Sequence, residues 1–164
     1  MPEKKTLERA KEDLREGKAP STAAGEFVRE EIEHVREGKH GARSPQQAIA
    51  IGLSKARRAG IPLKPPKSGS MQVRERAERE YEEGQEHPSR KPSASRSHSR
   101  KTVLKREPKS TASHEALSRQ AKRASSKRSA SSRSAAAKKG AAKRSPAARS
   151  ASARKAARTR AAAR

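Results

Sequence analysis

Apolar residues recur with a helical period through the first third of the chain and then thin out. Ala24, Phe27, Val28, Ile32 and Val35 fall at i, i+3, i+4, i+8 and i+11, which places them on one face of a helix. Arg29, Glu30, Glu33 and Arg36 fall on the opposite face, the one expected to meet water. This helix follows a break at Pro20, with Ser21 or Thr22 as its expected N-cap. Upstream, Leu7, Ala10 and Leu14 make a shorter stripe over about Thr6 to Glu16, ended by Gly17, and a helix so short and charged is marginal by itself.

The sharpest helix start lies at Ser44, whose hydroxyl can accept from the backbone N–H of Gln47 while the Gln47 side chain reaches back. Pro45 occupies the first helical position, where its missing donor costs nothing. The helix then runs from Ala48 to Ala59, and Gly60 is placed for a left-handed cap with Ile61 folding back towards Ala56. Pro62, Pro65 and Pro66 end the segment. Helices two and three are therefore expected to form a hairpin through residues 38–43, pressing Phe27, Val28, Ile32 and Val35 against Ile49, Leu53, Ile61 and Leu63. So few side chains are thin support for the segment, which calls for completion by the first helix, by self-association or by a protein partner.

Further along the apolar signal fades. About Ser70 to Glu83 predicts a fourth helix, almost wholly charged, with Arg74/Glu78, Arg76/Glu80 and Arg79/Glu83 at i, i+4, hence a solvated one. Ser110 to Ala124 predicts one more turn or two around Leu117, Ala121 and Ala124, capped by Ser113. Beyond residue 88 the only large aliphatics are Val103, Leu104 and Leu117, too few to offset the entropy of ordering that half. The expected fold is mostly α, a small helical hairpin or bundle followed by a long intrinsically disordered basic tail. Its parts are a short charged helix (1–19), the hairpin module (20–66), a solvated charged helix (67–87) and the tail (88–164).

Charge sharpens that division. Residues 1–87 carry 18 Lys and Arg against 16 Asp and Glu, whereas residues 88–164 carry 24 against 2. After Glu115 no acidic residue appears, while 16 basic ones follow. A tail without internal counter-charge needs an external polyanion, and nucleic acid is the commonest in a cell. There is no cysteine, which removes disulfides, thiolate metal sites and thiol nucleophiles. Residues 1–14 lack the apolar core of a secretory signal, and the longest apolar run, Ala48 to Leu53, falls far below the ~20 residues of a membrane span.

Residues 24–60 carry a resemblance. Gly25-Glu26-Phe27-Val28, Gly38-Lys39-His40-Gly41 and the run from Ser44-Pro45-Gln46-Gln47-Ala48 through Ile49, Ala50, Ile51, Gly52, Leu53, Ser54, Lys55, Ala56 and Arg57 resemble a small bacterial and phage domain family of unknown function. Members commonly join this module to Lys/Ala/Arg-rich tails, and Ser113-His114-Glu115-Ala116-Leu117-Ser118-Arg119 is similar to a segment of some of them. The resemblance implies a bacterial origin and a cytoplasmic, nucleoid-associated location; it brings no functional residues. The tail resembles, in composition, those of linker histones and bacterial histone-H1-like proteins.

The function expected is sequence-independent DNA binding and condensation by phosphate neutralisation. The residues expected to carry it are Lys122, Arg123, Lys127, Arg128, Arg133, Lys138, Lys139, Lys143, Arg144, Arg149, Arg154, Lys155, Arg158, Arg160 and Arg164. Lys39, Arg43, Lys55, Arg57 and Arg58 are expected secondary phosphate contacts. About 22 net positive charges match roughly 11 base pairs, and log affinity should fall with log salt at ~0.9 per phosphate contacted. The final 31 residues are expected to be coil when free and helix-prone once phosphate neutralises them. With no aromatic residue in the tail, base stacking on single strands is disfavoured, and without large apolar residues opposite the charges so is a membrane surface. Duplex DNA is the first partner and structured RNA the second. An alternative of another class is a protein-interaction or scaffold role for the hairpin, with the tail only localising it.

Other chemistry is weaker. The Gly38-Lys39-His40-Gly41 loop has the look of a KH-type phosphate clamp, but no sheet accompanies it, and turn and cap glycines explain it. A helix-turn-helix would present Pro45, Gln46 and Gln47 to bases, a poor set. Glu30 and His34 at i, i+4, with Glu37 and His40 nearby, have a spacing that suits a metal, yet no third and fourth ligand is set, so surface residues and no metal are expected. No cofactor is expected either. A core this small has no room for a catalytic pocket, so an enzyme is not expected. Ser-rich basic stretches, Ser145-Pro146 among them, are candidate phosphorylation sites.

Overall fold

The computed structural model describes the chain except for Met1, Ser89, Lys91, Pro92, Lys143, Ala163 and Arg164. Its elements are α1 (Lys4–Arg15), α2 (Pro20–Arg36), α3 (Pro45–Arg58), α4 (Met71–Glu86), α5 (Ala94–Lys105), a 3-10 turn (Ser110–Ala112), α6 (His114–Ser126), α7 (Ala130–Ala142) and α8 (Pro146–Ala162). No strand occurs among the described residues. The chain divides into two units, Met1–Gln120 and Ala121–Arg164.

In the first unit the hairpin of α2 and α3 is the centre, with α1 laid on α2 and α4 on α3. The α3 start follows its sequence signals: Ser44 is extended, its Oγ accepts from Gln47 N at 3.2 Å, and Gln47 Oε1 accepts from Arg43 N at 2.6 Å. At its other end Gly60 adopts φ +82°, a left-handed conformation that costs glycine little, and Ile61 N donates to Ala56 O at 3.1 Å. Helix α2 begins at Pro20 after an extended Ala19 and has no side-chain cap, so the expected Ser21 or Thr22 cap is corrected. Proline at the first helical position already sets φ for the helix, and Thr22 N and Ala23 N donate to the Ala19 carbonyl at 2.8 and 3.4 Å.

The core is built mainly of alanine. Ala10, Ala23, Ala24, Phe27, Ala56 and Ile61 form one buried cluster, with Leu7, Leu14, Leu53, Ala59 and Leu63 packed at its edge. Val35, Ala42, Ala48 and Ala112 form a second, with Ile32 at its edge. The inner stripe of α2 is thus Ala23, Ala24, Phe27, Glu30, Glu31 and Val35, and that of α3 is Ala48, Gly52, Ala56 and Arg57. Val28, Ile32 and Ile49 are half-buried instead of central, and Glu30, expected in water, is buried. The cause lies at the crossing: a Cβ on Gly52 would stand 2.6 Å from Val28 Cα and 3.0 Å from Phe27 O. Backbones this close select the faces with the smallest side chains.

Helix α4 is likewise less solvated than its charge suggests. Ser70 Oγ caps it through Val73 N at 3.4 Å, and Ala77 and Gly84 are buried against α3. A Cβ on Gly84 would collide with the Arg57 carbonyl. Ser54 Oγ donates to Glu80 Oε1 at 2.7 Å across the same contact. Of the expected i, i+4 pairs, Arg76–Glu80 forms at 3.7 Å, while Glu83 pairs with Arg90 at 3.2 Å.

The long disordered tail expected from residue 88 is overturned. Ser93 caps α5, and after it the chain returns to the hairpin loop: Gly41 N donates to Leu104 O at 2.8 Å and Ala42 N to Pro108 O at 3.1 Å. Arg36 Nε donates to the Ala112 carbonyl at 2.9 Å, and Ala112 is buried in the second cluster. Ser113 caps α6 as expected, its Oγ accepting from Ala116 N at 3.2 Å.

Within the second unit, Ser129 Oγ accepts from Ser132 N and Ser145 Oγ from Ala148 N, both at 3.2 Å, at the starts of α7 and α8. Pro146 opens α8. Serine caps and alanine's helix propensity are local signals that need no core, and here they outweigh repulsion between the cations. No residue of α7 or α8 is buried.

Gly52 and Gly25 make a paired test of the crossing. Gly52→Ala forces α2 and α3 apart and should destabilise the chain by about 1–3 kcal/mol in urea unfolding. Gly25→Ala, whose new methyl meets nothing within 4 Å, should instead stabilise it by up to about 1 kcal/mol.

Candidate functional site

Two regions carry the charged residues singled out in the sequence. The first is the run of basic helices. Lys122 and Arg123 lie on α6, Lys127 and Arg128 follow it, Arg133, Lys138 and Lys139 lie on α7, and Arg144 precedes α8. Arg149, Arg154, Lys155, Arg158 and Arg160 lie on α8. All of these are exposed; Lys143 and Arg164 fall outside the described residues. Residues 121–164 hold 15 basic side chains and no Asp or Glu, so no carboxylate of their own unit can neutralise them. Their contacts are with neutral oxygens: Arg128 Nη2 donates to Ser132 Oγ at 3.1 Å, and Arg160 Nε to Ala156 O at 3.2 Å.

At about 100° per residue, Arg149 and Arg160 share one side of α8 while Arg154, Lys155 and Arg158 occupy the other. The three cations of α7 are similarly spread. Such helices offer positive charge in opposite directions and no apolar stripe, and no helix among the described residues is long and apolar enough to cross a membrane.

The second region is polar and lies between α2, α3 and their loop. Glu31, 1% exposed, receives Lys55 Nζ on Oε2 at 2.5 Å and faces His40 Nε2 through Oε1 at 3.3 Å. Glu30 is also buried; its Oε2 accepts from Glu3 N at 3.1 Å, whereas Oε1 has no hydrogen-bond partner and stands 3.8 Å from the Lys55 ammonium. His34 Nε2 lies 3.0 Å from Glu3 Oε1, and the His34 and His40 rings meet edge to face at 6.1 Å. Hydrogen bonds from His34 and then Lys39 hold the Glu3 carboxyl below its usual pKa. The sequence pattern pointed to Glu30, His34 and His40 but passed over Glu31 and Glu3. The i, i+3 relation of Glu31 to His34 was the available signal for Glu31; nothing local marks Glu3.

The expected secondary phosphate contacts are divided by this network. Lys55 is held by Glu31, and Lys39 pairs with Glu37 at 2.9 Å and Glu3 at 3.3 Å. Arg57 is buried, which lowers its pKa against the opposing pull of Glu80, and its Nε donates to Leu63 O at 3.3 Å. Arg43 is exposed and Arg58 half-exposed, and neither forms an ion pair among the described residues. Comparison of the chain with protein-family models, curated proteins and solved structures finds no match.

Lys55 and Glu31 should behave as a coupled pair. Lys55→Met leaves a buried carboxylate without its ammonium and should cost about 3 kcal/mol in urea unfolding, whereas the Lys55→Met/Glu31→Gln double variant should lose clearly less than the sum of the two single losses.

Proposed function

We propose that the chain binds duplex nucleic acid through its C-terminal helices, by sequence-independent neutralisation of backbone phosphate. Support comes first from the basic residues of 121–164, 15 in a stretch without Asp or Glu, of which every one among the described residues is exposed. A solvated cation-only surface gains free energy mainly by releasing the counterions of a polyanion. Geometry adds to this. Helix α8 is 17 residues long, about 25 Å, and carries five charges, roughly one per 5 Å, the same order as the ~3.4 Å phosphate spacing of one strand.

A helix about 10–12 Å across fits the ~12 Å major groove, and cations on its opposite sides then face the phosphates of both walls. Serine and alanine between the cations offer no bidentate partner for a base edge, so affinity should be indifferent to sequence. Several such helices on one chain bridge neighbouring phosphate tracks, which is how condensation would follow. Duplex DNA in the bacterial nucleoid is the partner proposed, in keeping with the resemblance of residues 24–60.

The salt dependence of binding to a random-sequence duplex tests this. For the full chain, log K against log salt should be steep, and changing Arg149, Arg154, Lys155, Arg158 and Arg160 to Gln should reduce the slope by about 4–5 without altering the melting of residues 1–120. An unchanged slope would remove α8 from the interface. In competition, duplex DNA should displace the chain from structured RNA at equal phosphate concentration; preference for RNA would move the proposal to that polymer.

A further inference from the structure

We infer that Glu31, His34 and His40 form a binding site for a divalent transition ion of the zinc type, seated where α2 meets the α2–α3 loop. The site is independent of the nucleic-acid proposal, since none of its ligands lies in the basic helices. One oxygen of Glu31 and one ring nitrogen from each histidine lie within 4.8 Å of one another. Donors bound at ~2.0–2.2 Å around a tetrahedral ion stand about 3.3–3.6 Å apart, and the 3.3 Å from His40 Nε2 to Glu31 Oε1 already equals that edge. Two imidazoles and one carboxylate leave a fourth position for water, a donor set that suits Zn2+ better than Mg2+ or Ca2+, which favour oxygen.

Three features of the surroundings call for a cation. His40 Nδ1 lies 3.0 Å from the Gly41 carbonyl while Nε2 faces the Glu31 carboxylate. Both neighbours are acceptors, and a neutral imidazole has one N–H. With that proton on Nδ1, the Nε2 lone pair points at a carboxylate oxygen, an arrangement that a metal ion between them turns from repulsive to bonding. A backbone carbonyl on Nδ1 is the partner that commonly orients a ligating histidine.

The second feature is that two buried carboxylates, Glu30 and Glu31, share a single lysine ammonium, that of Lys55. Thirdly, Glu30 Oε1 is buried without a hydrogen-bond partner beside that same ammonium. An ion on Glu31 Oε1 draws on the charge of Glu31, leaving more of Lys55 for Glu30. Glu3, bonded to His34 Nε2, is a positioning residue that sets the angle of that ring. The bound ion would tie the loop carrying His40 to the middle of α2.

The test uses the full chain, stripped of metal with a chelator and desalted, then titrated with Co2+ and back-titrated with Zn2+. The expected result is visible d–d absorption of a four-coordinate site saturating at one equivalent, displacement by Zn2+, and a rise in melting temperature with Zn2+. His34→Ala and His40→Ala, each checked for retained helix by circular dichroism, should weaken binding at least about tenfold, and Glu3→Ala about tenfold through the lost contact to the His34 ring. His98→Ala, outside the cluster, should bind as the unmodified chain does. Should an alanine variant lose its helix, His40→Gln serves in its place, with the stoichiometry of the unmodified chain as the deciding measurement. Absence of saturable binding at one equivalent would overturn the site. Binding untouched by the His34 and His40 changes would overturn it as well.

Discussion

The close approach of α2 and α3 at Gly52 is the constraint on which the rest of the first unit depends. With Val28 Cα where a side chain would begin, the two backbones meet almost directly, and only faces lined with alanine and glycine can form the interface. A chain with 29% hydrophobic residues thereby obtains a core. Each buried alanine removes little apolar area, so the gain comes from many close backbone contacts instead of a few large side chains. The same device recurs at Gly84, where α4 reaches the end of α3, and at Gly41, where the turn after α5 reaches the hairpin loop.

That crossing also explains the buried polar cluster. Rotating α2 to present Ala23, Ala24 and Phe27 carries Glu30 and Glu31 inward on the same stripe, one and two turns further on. Two carboxylates taken from water need opposite charge at short range, and Lys55 supplies it from α3. Glu3, outside any helix, adds its backbone N–H to one glutamate and its side chain to His34, and so ties the start of the chain to α2. The polar network and the apolar core are therefore two results of one packing choice, and the zinc-type site lies at their junction.

The second unit follows different physics. Helices α7 and α8 bury nothing, so no tertiary contact accounts for them; serine caps, Pro146 and alanine propensity do. With nothing to pack, their cations spread around each helix. The first unit holds many of its charges in pairs such as Lys55–Glu31 and Lys39–Glu37, while the basic residues of the second are exposed wherever they are described. The division of charge seen along the chain is thus a division between charges that hold a fold and charges available to a partner.

Much of the fold was legible where signals are local. The Ser44–Pro45 start, the Gly60 stop and the Ser113 cap depend on residues three or four apart, and each is where the sequence places it. Order after residue 88 is hidden behind the scarcity of large aliphatics, because the serine caps and alanine propensity that form helices there need no core. What the sequence by itself determined is the starts of α3 and α6, the stop at Gly60, the acid-free composition beyond Glu115 and the absence of cysteine, because these follow from composition and near neighbours. Which face of α2 turns inward, the burial of Glu30 and Glu31, the partners of Lys55 and the meeting of Glu31, His34 and His40 were decided only by tertiary structure. Those facts depend on how closely two backbones can approach at Gly52, and that distance is a property of the pair of helices, not of either sequence alone.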